Sequence, residues 1–343
     1  MGTRRRRVSV KSGRSKLVKW DDLRMEIISN PTQDEIKKAA KALKDGHLVA
    51  FPTETVYGLG ADATNEKAVS RIYSVKGRPT GHPLIVHISS INLLQKWAIE
   101  IPEYAITLAK EFWPGPMTLI LKRSHLAQDF ITGSQDNVGV RVPSHPIALG
   151  LLSEFEMIGG FGIAAPSANR FGAVSATTAN AVAKELKEFF TLEDLIIDGG
   201  LCKIGLESTI IDCTNIIPTI LRPGALTLKE IKYSINTKIL ISENTNNIKV
   251  SGLLKSHYAP KAKVELNTEL KTGDGFFAMA NIPTPKGGVR LSSPMTAEEF
   301  ARNLYEVLRY SDELELNRIV VIPPEGTGLE KAIYDRLKRA SAK

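Results

Sequence analysis

Cysteine is scarce in this chain. Cys202 and Cys213 are the only two among 343 residues, and they form no CxxC pair. That spacing argues against a zinc site, and two isolated thiols fit a reducing, cytoplasmic setting. Long apolar runs are missing too. No stretch reaches the ~18 residues of a membrane span, and the basic N-terminus lacks the apolar core of a signal peptide. Arg6 stands where a myristoylation pattern needs Ser or Thr. Acids are absent from the first 20 residues, which hold Arg4, Arg5, Arg6, Arg7, Lys11, Arg14, Lys16 and Lys19. The formal charge of +8 is therefore all in that segment, and the remainder balances at 37 basic against 37 acidic residues. A neutral body counts against a general nucleic-acid-binding protein. The tail reads as a solvated, disordered extension, or alternatively as a source of weak, salt-sensitive RNA affinity.

What is present reads as mixed α/β. The length suggests two domains, and 43% hydrophobic residues suffice for packed cores. Thr32-Gln-Asp-Glu35 has the form of a capping box and predicts a helix that stops at Gly46. A strand is expected over 47–51, a helix over 65–75 with Ala68, Val69, Ile72 and Val75 at helical spacing, and a β-branched strand over 84–88. Further strands are expected at 117–121, 138–142, 162–165, 195–198, 208–212 and 219–221. Helices are expected at 102–112, 145–154, 177–189 and 227–234. Many short strands with Pro/Gly turns argue against a purely parallel doubly wound sheet. Residues 236–250, rich in Asn, Ser, Thr and Lys, read as a polar linker. Beyond it, strands near 275–280, 288–292 and 318–322 alternate with helices near 296–310 and 329–340, as in a small open α/β fold.

The chemistry gathers at loops. Gly58-x-Gly60-x-x-Ala63 matches a loose dinucleotide fingerprint, but six residues separate it from the strand. Lys76 and Arg78 stand where the acidic ribose partner should be, so that reading fails. Lys76-Gly77-Arg78 is either a pair of cations serving a helix C-terminus or a phosphate clamp, in which Arg forks onto two oxygens and Lys adds a mobile charge. Trp113-Pro-Gly-Pro-Met-Thr118, Ala165-Pro-Ser-Ala-Asn169 and Gly205-Leu-Glu-Ser-Thr209 put small hydroxyl residues in turns beside strands, and Arg222-Pro-Gly224 adds a cation at a strand end. Ligand sites of α/β proteins collect at such loops.

PTETVYGLG (52–60), KGRP (76–79), PLIVHI (83–88), WPGPMT (113–118), APSAN (165–169), ESTI (207–210) and LRPG (221–224) occur in this order. His257-Tyr-Ala-Pro260 and residues 326–332 follow. The set resembles the threonylcarbamoyl-AMP synthases, the YrdC-like family in its longer two-domain form. The resemblance implies a YrdC-like mixed twisted sheet with helices and a smaller Rossmann-like α/β C-terminal domain. The expected division is a basic tail at 1–22, a catalytic domain at 23–235, a linker or lid at 236–262 and the small domain at 263–343. Members convert L-threonine, bicarbonate and ATP into threonylcarbamoyl-AMP and pyrophosphate. A separate transferase then modifies tRNA. Mg²⁺ accompanies the ATP, and no tightly bound organic cofactor or protein-held metal is implied.

By the resemblance, Lys76 and Arg78 act on the ATP phosphates, with His82, Thr118, Ser167, Ser175, Arg222 and Tyr258 also lining the nucleotide site. Thr55, His87, Lys122, Ala165 and Ser208 bound the threonine pocket. Tyr258, in the HYAP motif, folds back over the nucleotide and makes the linker a lid. His82 departs from the family, which often has Asn there, and the Arg-rich tail is not a family feature. The rival readings are an RNA-binding module of the same fold without catalysis, a carbamoyl-transfer enzyme and a nucleotide hydrolase. The carbamoyl-transfer relatives carry zinc-type cysteine pairs that this chain lacks.

Overall fold

The computed structural model describes residues 26–235, 237–242, 249–250, 252 and 257–342. The basic tail and part of the linker lie outside these residues. The capping box forms as its sequence demands: the Thr32 side chain accepts from Glu35 N while the Glu35 carboxylate accepts from Thr32 N at 2.7 Å, opening the helix Gln33–Lys44.

The first unit is built on strands β1 (Glu26–Ser29), β2 (Val49–Phe51), β3 (Gly58–Asp62), β4 (Ile85–His87), β5 (Met117–Lys122) and β6 (Asn137–Arg141). It continues with β7 (Ile163–Ala164), β8 (Leu195–Asp198), β9 (Thr209–Asp212), β10 (Thr219–Arg222) and β11 (Leu240–Ile241). Among the described residues they form one sheet in the order β1-β8-β2-β3-β7-β4-β6-β5-β9-β10-β11. The sheet is mixed: β4 pairs parallel with β6, while β3–β7 and β5–β6 are antiparallel. One face buries Leu59, Val86, Trp97 and Val182, and the other buries Phe51, Leu151, Phe155 and Ile163 against the helices Gln33–Lys44 and Pro146–Met157.

The second unit carries β12 (Lys263–Leu266), β13 (Gly275–Phe277), β14 (Val289–Ser292) and β15 (Arg318–Val321), all parallel in the order β12-β15-β13-β14. The helices Ala297–Glu313 and Leu329–Ala340 pack on it. Its core does not stop at the linker. Val56, Val174 and Leu206 of the first unit share one buried cluster with Phe300, Leu304 and Tyr305. At Gly205 (φ +79°) a Cβ would meet Arg302 Cα at 2.6 Å, so only glycine lets the helix Ala297–Glu313 approach this closely.

Four strands differ from the expectations above. The segment 58–62 is a strand although Gly58 and Gly60 suggest a loop, because β2 and β7 supply partners on both sides. Leu240–Ile241, inside the expected linker, adds to β10 as a parallel edge strand. β1 and β12 are strands with no prior expectation, each completed by a parallel partner remote in sequence.

Candidate active site

The helix Glu66–Lys76 delivers the first two cations. Asn65 caps its N-terminus, and Gly77 closes it in the left-handed region at φ 62°. The turn sends Lys76 and Arg78 inward, where they are 2% and 7% exposed. Cations serving only a helix dipole stay in water, so the burial points to another role. Lys76 Nζ donates to Ser167 O at 2.6 Å and to Asn169 O. Arg78 Nη2 donates to Pro83 O at 2.9 Å, and its guanidinium lies over the Phe171 ring.

Sheet ends supply the rest. His87 of β4 and Arg141 of β6 are register partners. Arg141 Nη1 donates to Thr55 Oγ1 at 3.0 Å, and its Nη2 pairs with Glu54. The Thr53–Val56 turn is held by Thr53, whose hydroxyl donates to Val56 O at 2.6 Å. Arg222, at the end of β10, donates to Ser208 O at 2.8 Å and to Ser208 Oγ at 3.1 Å. His257 and Tyr258 come from the end of the linker, and Tyr258 is 1% exposed.

These groups enclose one cavity with about 50 Å³ of water-sized space. Lys76, Arg78, Arg141 and Arg222 face it, against a single lining carboxylate among the described residues, Glu207. Its lining also includes His87, Asn169, His257 and Tyr258. Each of these has a buried polar atom without a hydrogen-bond partner among the described residues: His87 Nδ1, Asn169 Oδ1, His257 Nδ1 and Tyr258 Oη. Buried polar atoms in native proteins are nearly always paired, so four in one cavity mark a ligand site.

The electrostatics agree. Burial, reinforced by Arg78, pushes the pKa of Lys76 well down. Burial brings Arg78 to about 10, which leaves it charged at neutral pH. Burial, with Arg141 adding to it, holds His87 at about 3, so its ring is neutral. Burial tends to raise the Glu207 carboxyl, but the guanidiniums of Arg336 and Arg222 hold it at about 2. The three guanidiniums of Arg78, Arg141 and Arg222 outnumber the one lining carboxylate, and a bound polyanion would offset the burial and repulsion that depress Lys76. Among the described residues no group of three or more His, Cys, Asp or Glu side chains could hold a metal ion.

The structure brings together Thr55, Lys76, Arg78, His87, Ala165, Ser167, Ser208, Arg222 and Tyr258 around this cavity. Thr118 lies just behind, sharing a hydrogen bond with Ser208 Oγ at 2.7 Å, and Ser175 donates to Glu207 Oε1 at 2.6 Å. His82 is half-buried at the rim, its ring edge-on to Phe171. Lys122 is not brought there. It is the exposed last residue of β5, roughly four strand steps of ~3.4 Å beyond Thr118, and it pairs with Glu100 at 2.6 Å. The cation that does reach this part of the cavity is Arg141, which sequence reasoning missed along with Asn169, Phe171 and His257. Arg141 had a usable signal: like Arg222, it stands at the end of an apolar strand close to a proline, here Pro143, two residues on.

A family model described as "Telomere recombination" matches residues 41–224, and one described as "Threonylcarbamoyl-AMP synthase, C-terminal domain" matches residues 226–342. A threonylcarbamoyl-AMP synthase of Pyrococcus abyssi is 42% identical over 326 residues, covering 90% of this chain and 94% of the relative. One from Bacillus subtilis is 38% identical over 343 residues, covering 93% and 96%. The solved structure "Crystal structure of P. abyssi Sua5 complexed with L-threonine" superposes with a TM-score of 0.83 at 40% identity, covering 92% of this chain and 97% of that one. With the cation-lined cavity in place and both units matched in order, the chain belongs to the threonylcarbamoyl-AMP synthase family.

Proposed function

We propose that the cavity is where ATP, L-threonine and bicarbonate are assembled into threonylcarbamoyl-AMP with release of pyrophosphate. The product would supply a separate transferase that modifies tRNA. As a family member the chain is a nucleotidyltransferase-type enzyme acting in tRNA modification. The observation that carries the assignment of the site is the meeting, in one cavity, of four basic side chains and four buried polar atoms that have no partner among the described residues.

In this reading Lys76, Arg78, Ser167, Arg222 and Tyr258 face the nucleotide, with His82 at the rim. Thr118 and Ser175 act from behind, through Ser208 and Glu207. Thr55, His87, Ala165 and Ser208 bound the threonine, and Arg141, rather than Lys122, is the cation there and takes its carboxylate. Bicarbonate takes up a proton and loses water to give carbon dioxide, and the threonine amine adds to its carbon and loses a proton, giving a carbamate. A carbamate oxygen then attacks the α-phosphorus as the bond to pyrophosphate breaks. No protein nucleophile is needed. The protein aligns the reactants and neutralises charge on the leaving group.

Two substrates of this size need at least several hundred Å³, against the roughly 50 Å³ of water-sized space in the cavity. His257 and Tyr258 therefore belong to a lid that opens for entry and closes to exclude water from the labile adenylate. Mg²⁺ would accompany ATP. The donor set does not fit a protein-held metal, because Glu207 is already occupied by Ser175, Tyr305 and Arg336. The metal would ride on the phosphates and its own waters.

The basic tail fits weak RNA affinity, and the pairing of the product with tRNA modification fits a cytoplasmic location. Among the described residues no helix is long and apolar enough to cross a membrane. The division at 22/23, 235/236 and 262/263 stands as the proposed domain scheme. Arg78→Ala tests the site. Loss of one transition-state charge contact should lower pyrophosphate release about 10²–10³-fold. An unchanged rate would reduce Arg78 to a packed structural cation.

A further inference from the structure

Glu207 is unusual among the cavity residues, because its partners come from both units of the molecule. Ser175 of the first unit donates to its Oε1 at 2.6 Å. From the second unit, Tyr305 Oη donates to its Oε2 at 2.8 Å and Arg336 Nε donates to the same oxygen at 2.7 Å. Arg336 and Tyr305 are both fully buried. The Arg336 guanidinium also lies over the Tyr258 ring, 5.5 Å from its centroid, and donates to Pro223 O at 3.0 Å, beside Arg222. Tyr305 stacks on Tyr258 with centroids 5.5 Å apart. Two side chains of the C-terminal unit thus hold both a carboxylate in the cavity wall and the lid tyrosine.

A carboxylate is a poor neighbour for a triphosphate. It repels the ligand and competes for any cation within reach. In this wall the competing cation is Arg222, which sits on Ser208, the residue next to Glu207 in the chain. We propose that Arg336 and Tyr305 are positioning residues for the nucleotide. By occupying Glu207 they keep its charge off the phosphates and leave Arg222 directed at them, so the C-terminal unit is a working part of the ATP site. The inference rests on the cavity being that site.

A purely adhesive role for the Glu207–Arg336 pair is the competing account, and the split between the KM for ATP and the KM for threonine, read beside a double-mutant cycle, separates the two. If the pair is only glue, removing either partner strands a buried charge and lowers stability, removing both restores it, and the two KM values move together. If Arg336 acts by occupying Glu207, the damage from losing Arg336 requires the carboxylate to be there.

The assay is threonine-dependent pyrophosphate release by the full chain, with KM for ATP and for threonine measured separately. Arg336→Met should raise the KM for ATP roughly tenfold or more, while the KM for threonine moves much less. Adding Glu207→Gln to Arg336→Met should bring the KM for ATP down to that of Glu207→Gln alone, well below that of Arg336→Met. Should Arg336→Met fail to fold, Tyr305→Phe keeps the ring stack and removes only the hydroxyl on Glu207. It should raise the KM for ATP several-fold, again relieved by Glu207→Gln. The proposal is overturned if the combined variants are no better than Arg336→Met or Tyr305→Phe alone, or if the KM for ATP and for threonine rise together. Arg78→Ala in the same assay keeps the two claims apart. If it is impaired while Arg336 and Tyr305 variants are not, only this inference fails. If it too is unchanged, the site assignment fails and takes the inference with it.

Discussion

Replacing Arg141 with methionine removes a buried guanidinium and leaves Glu54 behind. Both side chains of the pair are about 5% exposed. Among the described residues the Glu54 carboxylate would keep only the Ser144 N–H, 3.0 Å from its Oε2, and Thr55 Oγ1 would lose its charged donor. Breaking a buried ion pair from one side costs about 3–5 kcal/mol. At about 2–4 °C per kcal/mol for a unit of this size, the melting temperature should fall by about 6–20 °C. Arg141 is also the cation proposed for the threonine carboxylate. Loss of a charged hydrogen bond of about 1.5–3 kcal/mol should raise the KM for threonine by roughly one to two orders of magnitude. Adding Glu54→Gln separates the two effects. With no stranded carboxylate, most of the melting temperature should return, since replacing a whole buried pair is often nearly neutral. The threonine KM should stay high. The assay is a thermal melt alongside pyrophosphate release over a threonine titration. A double variant with a normal threonine KM would refute the role given to Arg141. A single variant melting with the parent would refute the energetic account of the pair.

Two further outcomes follow from charge. Burial holds both His87 and His257 at about 3, against 6.5 for a free side chain. Below pH 6.5 the unfolded chain takes up protons that the fold refuses, so this stability is complete above 6.5 and is lost as pH falls toward 3. The melting temperature should drop between pH 7.5 and pH 5, and His87→Asn should shrink the drop; a melting temperature that climbs on acidification would contradict the reasoning. Deleting residues 1–19 should leave pyrophosphate release unchanged while removing any salt-sensitive retention on RNA; lost synthesis would mean that the tail is part of the enzyme.

Much of this was legible in the sequence where the signal is local. The capping box at Thr32, the spacing of Ala68, Val69 and Ile72, and the β-branched run before His87 each carry their own instructions. What stayed hidden depends on pairing with other strands, several of them far along the chain. The segment 58–62 becomes a strand only because β2 and β7 flank it, and β1 because β8 lies beside it. The site divides the same way. Lys76 and Arg78 are conspicuous in a short motif. Arg141 looks like the end of an ordinary strand until the sheet sets it opposite His87. Lys122 shows the converse: the resemblance implied a cation bounding the threonine pocket, but the strand carries this one to its far end and out to solvent. The dependence of Glu207 on Arg336 could not be read from motifs at all, because 129 positions separate the two residues.

The most direct test is to incubate the full chain with ATP, labelled bicarbonate and one amino acid at a time, threonine and serine included. Pyrophosphate release that requires threonine, with label appearing in an adenylate, is the result predicted here. Serine differs by one methyl group and should be disfavoured by about 1–3 kcal/mol, or roughly 10–200-fold. Pyrophosphate released without any amino acid, or no release at all, would contradict the assignment of this cavity.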